Sequence, residues 1–503
     1  MTLNEEVMNR NMPAVILSCL ILSLSLPLFS QERDQTAEDL FLDAEQWYLD
    51  EEYAEAAYLY RQILAMEPDN AHVKYLLGMS YLNVRGMEEE AIPLLQEATR
   101  DISLKFKANK YSEKQAPHHC WYYLAEAYSK TNQLDEALEA IDTFASLRNF
   151  DKYYNVTLTE DFLEKIKRAK IIRDAELNLR ALYFNEPINT TNDDFNGVIS
   201  ANGKMMVWAN EKAFYDAVLM STREDREWTV PVEINPQIVS DGNLYPTGLS
   251  ADGNTLLMEY RPIRGNSDIW YASFDGMYWS PAQPVHGAVN SGANEIHASF
   301  SPNGNRIYVT SDRRGGEGGY DIWYSDRQAD GQWGEPVNMG RPINTAEDET
   351  TAYLAPGEGR FIFASKGHFN MGGYDIFRCE LKPDGTWGEP TNIGFPINTT
   401  SDDTYYVPLN DGLNALYSRF TTIAVGQTDL WYVEIQGEDG FVEGGLTLGL
   451  DTRKGLSDKD FAIIVVNDET GEEIEVVYES ASDSFKALSS EGKAYKVVSY
   501  EQE

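Results

Sequence analysis

Apolar residues recur with two different periods along the chain, and the change between them divides it into regions. From Thr36 to Asn149 they follow the three- and four-residue spacing of amphipathic helices. From Pro187 to Phe441 they form short runs rich in β-branched and aromatic residues, separated by Gly, Pro, Asn and Asp. The pattern therefore predicts packed helices in the first region and short strands joined by turns in the second.

The strand-rich region is built from near-copies of one phrase. GGYDIWYSDRQADGQWGEPVNMGRPIN begins at Gly318, and GGYDIFRCELKPDGTWGEPTNIGFPIN begins at Gly372. Repeats of about 50 residues, each with four short strands, are typical of propeller blades. We predict five blades, with a sixth, degenerate blade as the alternative. The aspartate of the repeated phrase recurs five times, as Asp216, Asp268, Asp321, Asp375 and Asp429.

Each repeat also carries the same turn chemistry. The tetrapeptides SANG at Ser200, SADG at Ser250 and SPNG at Ser301 supply the positive φ angle that a tight hairpin needs. A tryptophan marks the outer strand of the units, and Phe441 takes the corresponding place in the last one. We therefore expect Phe441 in the outer strand of the fifth blade. The four tryptophans are Trp228, Trp279, Trp333 and Trp387.

These landmarks resemble the WD-like, TolB-type β-propeller repeats of exported bacterial proteins, over residues 187–441. The resemblance implies a ring of blades around a central channel. It implies no particular activity, because propellers bind proteins, serve as scaffolds and host several chemistries.

The helical region has its own, shorter repeat. Trp47 and Tyr81 occupy equivalent places in the first two copies, and a third copy around Trp121 follows an insert. The spacing resembles that of the tetratricopeptide repeat, whose unit is roughly 34 residues. We expect three copies between residues 36 and 150. In that family the first helix of each pair lines a concave groove. The resemblance assigns seven residues to the groove: Phe41, Glu45, Tyr48, Tyr75, Met79, Tyr122 and Glu126.

The groove is the predicted partner-binding site. Aromatic anchors flanked by carboxylates suit an extended or helical peptide with basic side chains. Replacing Tyr75 and Tyr122 together by Ala is expected to abolish binding and to leave the helices folded. The alternative is that the segment 151–186, predicted as a linker or capping helix, covers the groove.

The two ends of the chain are predicted separately. The apolar stretch from Pro13 to Ser30, followed directly by polar residues, is typical of a secretory signal peptide spanning residues 1–30. A signal anchor and lipid attachment at Cys19 are the alternatives. Residues 442–503 resemble an incomplete carboxypeptidase-regulatory-like β-sandwich.

The net negative charge of the chain excludes some classes of partner. Lys plus Arg number 41 and Asp plus Glu number 81, so the net charge is 41 − 81 = −40. Such a surface repels phosphates, which predicts no nucleic acid partner and a peripheral rather than integral association with membranes. Beyond the predicted signal only Cys120 and Cys379 remain, and both are expected to be packing residues.

A carboxylate precedes the first strand of each unit. Because the first strand of a blade is the innermost one, these acids are predicted to ring one mouth of the channel. Oxygen ligands suit calcium, so a calcium or basic-peptide site is the functional hypothesis, and turn-forming acids are the alternative. No other cofactor is expected. The five carboxylates are Asp194, Asp241, Glu295, Glu349 and Asp403.

The sequence contains no familiar catalytic motif for metalloproteases, nucleotide-binding loops or serine hydrolases. His297 near Glu295 is the one pair considered for acid–base chemistry, with an ordinary surface pair as the alternative. The chain is therefore predicted not to be an enzyme.

The order of the three regions is similar to exported proteins of Bacteroidetes-type bacteria, some of which serve the type IX secretion system. The OmpA-like domain of several such relatives is not expected here, since the sequence stops at Glu503. We predict a non-catalytic interaction scaffold of the cell envelope, in the periplasm or at the outer membrane, with envelope or secretion-system proteins as partners. The alternative is a propeller that binds or hydrolyses glycans or peptides.

Overall fold

The computed structural model describes residues 35–435, except 176, 225–226, 358, 411 and 421–427, together with five short strands between residues 464 and 498. Helices come first and strands follow, as the change of apolar period predicts. The predicted signal peptide, most of residues 442–503 and Phe441 lie outside the described residues.

The N-terminal helices form three consecutive pairs, and a longer helix follows them. The Thr36 side chain accepts a hydrogen bond from the Asp39 backbone, and the Asp39 side chain accepts one from the Thr36 backbone, which stabilises the first turn. Gly78 lies so close to Leu95 that a side chain there would collide with it, so the helices approach tightly. Membership of the tetratricopeptide family stays a prediction. The helices are α1 (Ala37–Leu49), α2 (Tyr53–Met66), α3 (Ala71–Leu82), α4 (Glu88–Ala98), α5 (Cys120–Lys130), α6 (Leu134–Ala145) and α7 (Val156–Asp174).

The insert between α4 and α5 is ordered by a short parallel pairing of β1 (Ile102–Ser103) with β2 (Ala116–Pro117). A further strand, β3 (Leu179–Tyr183), follows α7. The strands between residues 194 and 435 and the short helix α8 (Asn235–Ile238) form the propeller together with β3.

Five antiparallel sheets confirm the predicted five blades. The inner strand of blade 1 packs against blade 5, so the ring is closed. Blade 1 contains β4 (Asp194–Ile199), β5 (Met205–Glu211), β6 (Asp216–Glu224), β7 (Glu227–Trp228) and β8 (Val232–Glu233). Blade 2 contains β9 (Leu244–Leu249), β10 (Thr255–Tyr260), β11 (Asp268–Ser273) and β12 (Gln283–Pro284). Blade 3 contains β13 (Glu295–Phe300), β14 (Arg306–Ser311), β15 (Asp321–Asp326) and β16 (Val337–Asn338). Blade 4 contains β17 (Glu349–Leu354), β18 (Arg360–Ser365), β19 (Asp375–Glu380) and β20 (Thr391–Asn392). Blade 5 contains β21 (Tyr406–Leu409), β22 (Asn414–Phe420) and β23 (Thr428–Ile435), and β3 is its fourth strand.

The closing strand corrects two predictions. The outer strand of blade 5 is β3, which pairs with β23 so that Leu182 lies opposite Tyr432. Residues 179–183 are therefore part of the propeller and not of a linker helix, which ends at Asp174. The apolar residues Ala181, Leu182 and Tyr183 are buried because this strand seals the ring. A strand from the N-terminal side thus fills the position that the repeat assigned to Phe441.

One asparagine per unit fastens each blade to the preceding one. In blade 3, the Ile322 N–H donates to Asn344 Oδ1 at 2.9 Å, and Asn344 Nδ2 donates to the Ile322 carbonyl at 2.9 Å. The same two-way bond joins Asn189 to Leu430, Asn290 to Ile269 and Asn398 to Ile376, while Asn235 binds Val218 and Asp216. The Pro-Ile-Asn and Asp-Ile-Trp phrases therefore recur together because they bind each other between blades.

The described C-terminal strands form one three-stranded and one two-stranded sheet. The predicted β-sandwich stays a prediction, because most of its residues lie outside the described part. The strands are β24 (Ile464–Asn467), β25 (Glu473–Ile474), β26 (Val476–Glu479), β27 (Ser484–Ala487) and β28 (Tyr495–Val498).

Candidate functional site

Two of the seven predicted groove residues are buried. Phe41 is 0% exposed and Tyr75 is 7% exposed. The insert between α4 and α5 covers them: the Tyr111 ring lies 5.9 Å from Phe41, and the Phe106 ring lies 6.3 Å from Tyr75. The prediction that Phe41 and Tyr75 line a partner-binding groove was therefore wrong. The displacement of the third repeat along the sequence is the signal for this cover.

A third groove residue, Tyr122, is covered from the other side. Its ring lies 5.0 Å from Phe162 on α7. The alternative that the following helix covers the groove is therefore correct for Tyr122, although not for Phe41 or Tyr75.

The rest of the groove forms a half-buried cluster that we call the tyrosine–glutamate patch: Glu45, Tyr48, Tyr53, Tyr123 and Glu126. The rings of Tyr48 and Tyr53 meet edge to face at 5.1 Å. Burial raises the pKa of Tyr48 well above its usual value, and the nearby Tyr123, Tyr53 and both glutamates raise it further. Burial also raises the pKa of Glu45, against the hydrogen bond that Tyr60 donates to it at 2.7 Å.

Tyr53 and Tyr123 were missed by the sequence reasoning. Tyr53 begins α2, outside the helices that the family resemblance assigns to the groove, and Tyr123 directly follows the predicted Tyr122. Glu126 reaches Lys130 one turn later at 3.3 Å, so the patch includes one cation at its edge. Met79, the last predicted groove residue, is half-buried against the helical core.

The helical layer rests on one end of the propeller. Thr400 Oγ1 donates to the Ser129 carbonyl at the end of α5, at 2.7 Å. The Arg168 guanidinium on α7 donates to Asn370 Oδ1 at 3.3 Å. These propeller residues belong to loops between the second and third strands and to loops that lead into the inner strands. The same end of the ring carries the predicted carboxylates.

Four of the five predicted carboxylates are buried and fix the turns that lead into their strands. Glu349 accepts hydrogen bonds from the Thr345 N–H at 2.8 Å, the Thr345 hydroxyl at 2.7 Å and the Ser365 hydroxyl at 2.7 Å. Burial raises the pKa of Glu349 to about 7 in spite of these bonds. The same arrangement, a donor pair from a Ser or Thr four residues earlier, holds Asp194, Glu295 and Asp403.

Asp241 departs from this pattern. It is exposed in the turn before β9, and Leu244 occupies the buried first position of that strand. The prediction that Asp241 joins a ring of equivalent acids is therefore wrong. The six-residue spacing from Asn235, where the other units have five, reflects this difference.

Carboxylates of neighbouring blades lie close enough to influence each other. Burial and, as a smaller cause, the charge of Asp403 in the next blade raise the pKa of Asp375, at the start of β19, to about 7. Asp321 of blade 3 acts in the same direction on Glu349 of blade 4. The repeated aspartate of the Asp-Ile-Trp phrase therefore lies near a predicted acid of the next blade, and the negative charge of one raises the pKa of the other.

No group of three or more His, Cys, Asp or Glu side chains suited to a metal ion occurs among the described residues. The four buried carboxylates are occupied by donors of their own blades. The calcium hypothesis therefore rests on the sequence pattern alone.

The pair considered for acid–base chemistry is buried and divided between separate networks. The Tyr353 hydroxyl donates to the Thr247 carbonyl at 2.9 Å, so it accepts its second bond, also 2.9 Å, from His297 Nε2. Burial lowers the pKa of His297 to about 3, which keeps the ring neutral. Glu295 instead binds Arg313 at 3.0 Å. Neither the surface pair nor an acid–base dyad describes these residues.

Cys120 and Cys379 are buried and unbridged, as predicted for packing residues. Burial raises the pKa of Cys379 to about 12. None of the described helices is both long enough and apolar enough to cross a bilayer.

Comparisons with known proteins give distant likenesses. No protein-family model and no curated protein matches the chain. Solved structures similar to it include TolB-type proteins from Agrobacterium tumefaciens (16% identity, 48% of this chain and 73% of that one, TM-score 0.30) and Acinetobacter baumannii (14%, 52% and 64%, 0.31). The α-L-arabinofuranosidase from Lactobacillus brevis is similar over 51% of this chain and 94% of its own, at 12% identity and a TM-score of 0.34. The chain thus spans less than two thirds of the second TolB, and TM-scores this low support no choice between binding and hydrolysis.

Proposed function

We propose that the chain is a non-catalytic, protein-binding scaffold of the bacterial cell envelope. The observation that carries the proposal is the tyrosine–glutamate patch, where three half-buried tyrosines and two glutamates converge on the helical layer. Large aromatic side chains of this kind provide much of the binding energy at protein interfaces.

The patch suits an extended peptide segment that carries lysine or arginine. Tyrosine faces attract ammonium and guanidinium groups, and Glu45 and Glu126 add opposite charge. The net charge of −40 favours the same partner at long range. We therefore propose that a basic segment of an envelope or secretion-system protein, such as a type IX secretion or outer-membrane assembly component, lies across Tyr48 and Tyr123.

The propeller serves in this proposal as the rigid base of the helical layer. Its loops hold the end of α5 through Thr400 and α7 through Asn370, which fixes the orientation of the patch. The proposed location is the periplasm or the periplasmic side of the outer membrane, in keeping with the signal-like N-terminus and a peripheral association.

A peptide library with fixed aromatic and variable charged positions tests the proposal on the full-length chain. We expect selection of lysine and arginine, and about tenfold or weaker binding after Tyr48→Ala or Glu126→Gln. Tyr58→Ala is the matched control, because Tyr58 is an exposed tyrosine of the same layer outside the patch. Selection of acidic peptides, or an equal loss in the control, would contradict the proposal. Turnover of envelope glycans or peptides by the purified chain would contradict its non-catalytic part.

A further inference from the structure

A cleft of about 530 Å³ separates blade 2 from blade 3. It opens at the turns between first and second strands, at the end of the ring opposite to the helical layer. Its volume lies in the range of small-ligand pockets. Its lining includes Thr255, Tyr271 and Ser273 of blade 2 and Phe300, Arg327 and Trp333 of blade 3.

The cleft exists because blade 2 departs from the repeat at one rung of its sheet. Thr255 lies opposite Ser273 in blade 2. The same rung of blade 3 holds the ion pair of Arg306 with Asp326, at 2.7 Å.

Blade 4 has an equivalent ion pair, Arg360 with Glu380, at 2.7 Å. Two residues further along the strand, Leu257 of blade 2 replaces Tyr308 of blade 3, whose ring packs 4.9 Å from Phe361 of the next blade. Leu257 itself is buried in the core between blades 2 and 3, and the small residues Thr255 and Ser273 leave open the space above it that the ion pair occupies in blade 3.

The cleft combines an aromatic wall with a cation. The rings of Phe300 and Trp333 are stacked at 6.1 Å, and the Arg327 guanidinium lies 6.0 Å from the Trp333 ring. Arg327 donates its Nε–H to the Gly331 carbonyl at 3.3 Å and has no carboxylate within 4 Å among the described residues, although acidic residues outnumber basic ones by 81 to 41. A planar guanidinium binds a carboxylate through two parallel hydrogen bonds.

Asp252, the acid at the rim, faces its own turn. Its carboxylate accepts hydrogen bonds from the Ser250 hydroxyl at 2.7 Å and the Asn254 N–H at 3.0 Å. These bonds hold its pKa below the usual value, so Asp252 stays ionised with its oxygens bonded within the turn. Arg327 is therefore the cationic group that the cleft offers to an anionic ligand.

We propose that this cleft binds the free C-terminus of a peptide that ends in an aromatic or branched aliphatic residue. The terminal carboxylate binds Arg327, and the last side chain packs on the Phe300–Trp333 wall, beside the half-buried Thr255 and Tyr271. This site lies on the propeller and is independent of the tyrosine–glutamate patch.

Calorimetric titration of the full-length chain with acetyl-Gly-Gly-Phe tests the proposal. We expect binding of the free acid and about tenfold or weaker binding of the C-terminal amide, since the amide removes the charged bond. Arg327→Gln should weaken the acid by a similar factor and leave the amide unchanged. Arg341→Gln is the matched control, because Arg341 is an exposed arginine elsewhere on the propeller.

A second variant closes the cleft without changing Arg327. Thr255→Arg combined with Ser273→Asp transfers the ion pair of blades 3 and 4 into blade 2 and should abolish binding of the acid. Equal binding of acid and amide, or unchanged binding by this variant, would overturn the proposal. Binding of digalacturonate through Arg327 in place of the peptide would also overturn it and assign the cleft to an acidic sugar.

Discussion

The propeller and the helical layer are both built from repeats, but different forces hold the repeats together. In the propeller, an asparagine binds the backbone of the preceding blade at each of the five interfaces, and at four of them, as with Asn344 and Asn398, it exchanges two hydrogen bonds with one residue. In the helical layer, small residues such as Ala44 and Gly78 allow close apolar packing. Directional bonds tolerate little change, whereas packing adapts to an insert. The helical layer is therefore the part in which an insert covers one end of the groove and a half-buried patch remains at the other.

The largest expected effect comes from opening the ring. A chain that begins at residue 187 lacks β3, while one that begins at residue 177 keeps it. Because β3 provides the outer strand of blade 5 and buries Leu182 and Tyr183, we expect cooperative thermal unfolding of the longer chain only. Equal cooperativity of the two chains would show that the ring is stable without this strand.

The sequence predicts the number of blades but not which segment of the chain supplies the last strand of blade 5. The spacing of the repeats predicts five blades because each unit carries its own turns and its own Asp-Ile-Trp strand. It places residues 179–183 wrongly because contacts between residues far apart in the chain, such as Tyr183 with Asp429, leave no local pattern. The same applies to Phe41 and Tyr75: their helix faces follow from the period, but the insert that covers them is non-local.

Tyr75 gives the next largest effect and tests whether the helical layer depends on packing. We expect Tyr75→Ala to lower the free energy of unfolding by about 3–5 kcal/mol, because it removes a buried ring that contacts Phe106 and Tyr123. Chemical denaturation measures this loss. Tyr58→Ala, at an exposed site, should change the stability by less than about 0.5 kcal/mol. A negligible change in the free energy of unfolding for Tyr75→Ala would show that Tyr75 is not a core residue and is free to bind a partner in the groove.

Asn344→Ala tests the directional bonds of the propeller. The variant leaves the buried N–H and carbonyl of Ile322 without their partner, which should cost about 2–4 kcal/mol in the free energy of unfolding. The control is Asn305→Ala at an exposed turn position. A loss of equal size in both variants would contradict the role of the repeated asparagine.

Two buried carboxylates, Glu349 and Asp375, predict a pH dependence of the propeller's stability. The pKa of Glu349 and of Asp375 is raised by burial to about 7, so each is stabilised when protonated. Their contribution is complete below the unfolded pKa near 4 and is lost as the pH rises through 7, by on the order of 1–3 kcal/mol each. Melting curves between pH 5 and 8 should show this decline, and Glu349→Gln should reduce it. A stability that rises over this range would refute the assignment.

The most direct test of the account compares one selected basic peptide across two regions of the molecule. Its affinity for the full-length chain is measured by fluorescence anisotropy, alongside the patch variant Tyr48→Ala with Glu126→Gln and the propeller variant Arg327→Gln. We expect a loss of about tenfold or more in the patch variant and no change in the propeller variant. Loss in the propeller variant with full binding by the patch variant would contradict the claim that the helical layer binds the partner.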